Sequence, residues 1–86
     1  MPVSALPLAE RIARIIAARA VSLNAEGEER SAAAIVDDSW RDYRGDAISI
    51  LRTMREPDAG MADAGDLAVW QKMIDAALTA AAIEAS

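Results

Sequence analysis

LAVWQKMIDAALTAAAI, residues 67–83, is the stretch that decides the fold class. At about 100° per residue, Leu67, Trp70, Ile74, Ala77, Leu78 and Ala81 share one stripe, with Met73 at its margin. Lys72, Asp75 and Ala76 lie on or toward the opposite side. Such a pattern predicts a helix that buries one face. Asp66 stands where an N-cap side chain is needed, because its carboxylate can accept a free amide of the first turn.

Working back from Asp66, Gly65 is a closing residue for a short helix over 58–64, with Pro57 at its entry and Met61 pointing inward. A second long helix is predicted over 39–55, capped by Asp38 or Ser39 and stopped by the restriction that Pro57 places on Glu56. Trp40, Tyr43, Ala47, Ile50 and Met54 follow one another at alternating spacings of three and four, with Leu51 beside them, as in a helix packed on another helix. Gly45 costs that helix about 1 kcal/mol relative to Ala. It either allows a neighbour to come close or marks a late helix start.

Residues 25–37 read as a loop or irregular segment holding a helical turn or two. Asn24 and Gly27 tolerate the conformation that closes a helix, and Asp37, Asp38 and Ser39 carry a turn and cap signal. The first helix is predicted over 6–23, after Ser4 as cap and with Pro7 in the first turn. Its apolar stripe is Leu8, Ile12, Ile15, Ile16 and Leu23, with Glu10, Arg14 and Ala17 on the far side. Arg19 falls inside that stripe. Its stem either lines the core edge while the guanidinium reaches water, or the charge pairs with an acid of another helix or subunit. The expected architecture is all-α: a single domain over 1–86, built as a small bundle of three main helices plus one short helix.

Composition agrees. Of 86 residues 21 are Ala, the strongest helix former, and no strand-like alternation occurs. The chain has no Cys and no His, which removes disulfides, thiolate metal sites, the commonest general acid/base and the commonest metal ligand. Lys72 stands alone, and the four glycines at 27, 45, 60 and 65 form no phosphate cradle. Asp38 pairs with Asp42, and Asp42 with Asp46, at helical spacing, yet no alternate run of oxygen ligands with a turn glycine follows, so these acids read as solvated. Neither a catalytic residue, a cofactor site nor a metal site is expected, and the chain reads as no enzyme. Net charge is −5 and predominantly acidic, which makes nucleic acid an unfavoured partner. The N-terminus lacks a basic start followed by an apolar run, and no stretch approaches the ~20 apolar residues of a membrane span. The expected location is the cytoplasm.

Trp40, Tyr43 and Ala47, then Met54, Arg55, Pro57, Met61, Ala64 and Gly65, then Val69, Trp70 and the run from Met73 to Leu78 carry a resemblance. Over residues 40–78 the chain resembles a family of small bacterial helical proteins, some of them prophage-associated, with no known activity. The resemblance therefore implies no catalytic or binding residue, and residues 23–38 do not share in it.

From these residues the expected function is that of a non-enzymatic helical interaction protein that self-associates as a two-fold homodimer, because a small chain without a covalent staple carries wide apolar stripes. Arg19, Trp40, Tyr43 and Trp70 are the candidate interface residues. Two alternatives remain open: a nucleic-acid-associated regulator with a helix-turn-helix-like bundle using Arg11, Arg14, Arg41, Arg44, Arg52 or Arg55 on phosphates, and a phage assembly or adaptor role.

Overall fold

The computed structural model describes residues 3–23 and 31–85, and every element in them is helical: α1 Leu8–Leu23, α2 Ala32–Ser39, a 3₁₀ turn Trp40–Tyr43, α3 Arg44–Met54, α4 Ala59–Ala64 and α5 Leu67–Ala85. The all-α expectation holds. No helix among the described residues is long and apolar enough to cross a membrane.

Local chemistry sets the boundaries. The Pro7 carbonyl accepts from the Arg11 amide at 3.1 Å and opens α1, whereas Ser4, expected as the cap, accepts from the Leu6 amide in the preceding turn. Asp58 caps α4 by accepting from the Met61 amide at 2.9 Å, and Asp66 caps α5 by accepting from the Val69 amide at 3.2 Å. Gly65 ends α4 with extended backbone, not the left-handed closure expected of it.

Two further readings are refined. Residues 32–39 form a helix of about two turns, which includes the helical turn or two expected within 25–37 and runs past it, because Ser31 accepts from the Ala34 amide at 3.2 Å and three successive alanines follow. Asp37 lies inside this helix, held across to α1 by Arg14, so a tertiary contact outweighs its local turn preference. Residues 25–30 lie outside the described residues. The helix expected over 39–55 divides at a 3₁₀ turn, and α3 begins only at Arg44. A methyl group on Gly45 would meet nothing within 4 Å, which leaves the late start and removes close approach as its explanation.

The core consists of Ala9, Ala13, Ala17, Trp40, Ala47, Leu51, Ile74 and Ala81. By its alanine face α1 packs on α2, the 3₁₀ turn and α3, and α5 lies against α3 and, less extensively, α1. This reverses part of the α1 reading: Ala17, placed on the far side, is fully buried, while Ile15 is 65% exposed. The buried face is chosen by fit. Three small residues, each about one turn from the last, form a flat row buried in the same core as Trp40, and the close packing of α1 on the 3₁₀ turn favours small side chains there. Leu8 and Ile12 pack beside the seam, half-buried. The molecule is elongated, 48 × 29 × 25 Å, with α4 outside all the principal helix packings.

Candidate interaction surface

Two tryptophans organise the two ends of the molecule. Trp40, at the head of the 3₁₀ turn, is only 4% exposed and belongs to the core. Three guanidinium groups surround its ring: Arg41 at 4.6 Å from the centroid, Arg44 at 5.2 Å and Arg14 at 5.3 Å. Each cation gains from the negative face of the indole. Arg14 is also tied to Glu10 at 2.8 Å and to Asp37 at 2.7 Å, and those hydrogen bonds, Asp37 first, raise its pKa further above its ordinary value. Arg44 stacks with its Nε buried and without a hydrogen-bond partner. The cluster thus has the features of a structural lock between α1, α2 and the 3₁₀ turn.

Trp70, near the start of α5, is half-buried. Its indole N–H donates to the Met54 carbonyl at 2.7 Å, at the end of α3, where a helix leaves carbonyls without intrahelical donors. One helical turn farther on, Arg55 Nε meets Asp75 at 2.7 Å, with a second bond from its Nη2 to the other oxygen at 3.3 Å. This pairing holds the Asp75 carboxyl below its ordinary range and raises the Arg55 pKa. The α3–α5 corner is therefore defined by polar clips at its rim. Its apolar residues are only partly covered.

Below that corner lies an open groove of roughly 200 Å³, lined chiefly by Pro57, Met61, Leu67, Val69, Trp70 and Met73. It is smaller than the ~300–1,000 Å³ of pockets that enclose a small molecule, and it suits an inserted apolar side chain better than a metabolite. Met61, expected to point inward, is exposed, because the six-residue α4 buries nothing. From the groove an apolar stripe continues along α5, on the side away from α3. Val69 is 53% exposed, Met73 62% and Ile83 69%, with Ala76 exposed and Ala80 half-buried between them.

Among the residues singled out from sequence, Trp40 is in the core, Tyr43 is half-buried against it, Trp70 borders the groove, and Arg19 stands exposed on the outer face of α1 beside Ile15 and Leu23. Arg19 has no ion-pair partner among the described residues. The structure does not bring these four together. What sequence reading missed is the outer stripe of α5, although its signal was present: Val69, Met73, Ala76, Ala80 and Ile83 recur at helical spacing beside Lys72, a second apolar face that also needs cover. No family model, curated protein or solved structure matches the chain.

Proposed function

We propose that this protein is a non-enzymatic helical interaction module that works by self-association, as a two-fold homodimer in the cytoplasm. The observation that carries the reading is the uncovered side of α5 and its groove, where Met61 on α4 and Leu67, Val69, Met73 and Ile83 along α5 are all exposed. Contiguous large apolar residues of this kind on a small domain mark a binding surface.

The nucleic-acid alternative draws less support. Of the six arginines available for phosphates, Arg14 and Arg55 are ion-paired and Arg41 and Arg44 lie against Trp40. Sedimentation equilibrium over micromolar to millimolar concentrations tests the proposal. A mass of two chains, strengthening with concentration, is expected. A single-chain mass across that whole range would refute self-association.

A further inference from the structure

Val69, Met73, Ala76, Ala80 and Ile83 follow one another at spacings of four, three, four and three. That is the seam of a helix that packs along its length against another helix, with residues recurring every 3.5 positions. The core stripe of α5, centred on Ile74 and Ala81, is a different set of positions and is already covered by α3 and α1. One helix thus carries two apolar faces. The second is a complete seam of about four turns, whose residues are exposed except for the half-buried Ala80.

We infer that this seam pairs with the same seam of a second copy of the chain, the two α5 helices running antiparallel across a two-fold axis near Ala76. The inference rests on the self-association proposed above and assigns its surface and direction. Size complementarity sets the direction. In an antiparallel pair Val69 faces Ile83, Met73 faces Ala80, and Ala76 meets its own copy, so each bulky residue of the middle layers meets a small one. A parallel pair would set Met73 against Met73 and Ala80 against Ala80, crowding one layer and underfilling another, whereas the Ala76 layer is the same in both directions, and cores tolerate neither crowding nor voids.

Charge agrees with this direction. Residues 56–71 contain Glu56, Asp58, Asp63 and Asp66 and no cation. A parallel pair would bring these acidic ends together and align the two helix dipoles. The antiparallel pair moves these four acids to opposite ends, where they meet only Glu84 of the second copy, and opposes the dipoles favourably. It also lays Ile83 of the second copy beside Val69 and the open groove, which is of a size to take one aliphatic side chain.

Ala76 is exposed, so Ala76→Glu and Ala76→Arg should leave the helical circular dichroism of the chain unchanged. Each variant alone is expected to weaken self-association at least tenfold by placing like charges at the axis, and an equimolar mixture of the two should recover it. Direction is read by cross-linking, which the absence of native Cys makes clean. Under mild oxidation, a mixture of Val69→Cys and Ile83→Cys chains should form mixed 69–83 dimers. Predominant 69–69 and 83–83 products would overturn the antiparallel arrangement. Wild-type association that both Ala76 variants leave intact would overturn this surface while sparing self-association. A wild-type chain that stays monomeric would remove both.

Discussion

The end of the molecule built on Trp40 and the end built on Trp70 use the same kind of anchor with different outcomes. Around Trp40, Ala9, Ala13 and Ala17 let helix backbones approach, and the indole is almost entirely covered. Around Trp70 the neighbours are Pro57, Met61 on the short α4, and Leu67, Val69 and Met73 on α5 itself, larger side chains that a six-residue helix does not cover. A large aromatic residue becomes a core residue when small residues surround it on several elements. It becomes the border of a binding surface when only one long helix and one short one are at hand.

The largest effect should come from breaking the closed end. Trp40→Ala removes the central ring and the surface on which three guanidinium groups rest, and a loss of about 3–5 kcal/mol is expected. For a chain of this size that is a large share of a total stability of roughly 4–13 kcal/mol. Urea unfolding followed by circular dichroism measures it, and a loss below about 1 kcal/mol would show that the ring is not the keystone of that end.

At the open end, Trp70→Phe deletes the donor to Met54 and trims the ring, so the expected loss is about 0.5–1.5 kcal/mol from the hydrogen bond plus a smaller packing loss. The same unfolding assay reads it. An effect as large as that of Trp40→Ala would mean that the two ends are equally closed.

Gly45→Ala probes whether tight backbone approach extends from the α1–3₁₀ seam into α3. The open space at that position predicts a gain of about 0.4–1 kcal/mol from reduced unfolded-chain freedom. A loss of stability instead would place a close neighbour there.

The smallest effect concerns the clip at the α3–α5 rim. Asp75 has a native pKa below its ordinary value near 3.8, so its pairing with Arg55 contributes stability in full above that range and loses it as pH falls through the native value. Asp75→Asn should lower the melting temperature slightly at neutral pH and flatten the fall in stability toward low pH. An unchanged acid limb would show that the pair is not formed in solution.

The sequence by itself determined the helical class, the capping aspartate at 66 and the core stripe of α5, because capping and periodicity are local and leave direct marks in residue order, whereas Asp58, read as part of the short helix entered at Pro57, is its cap. It also contained the second stripe of α5, whose Ala76 lies with Lys72 and Asp75 on or toward the side opposite the core and whose Met73 lies at the core stripe's margin. Only the tertiary structure decided that α1 buries its alanines and turns Ile15, Arg19 and Leu23 outward, since a hydrophobicity scale favours large residues and close packing against an indole favours small ones. It likewise decided how α2 docks: Asp37, within the helix that the Ser31 cap and the alanines begin, meets Arg14 of α1, 23 residues away in the chain. Which face of each helix is left uncovered is set by what the other helices can reach, and no local pattern contains that.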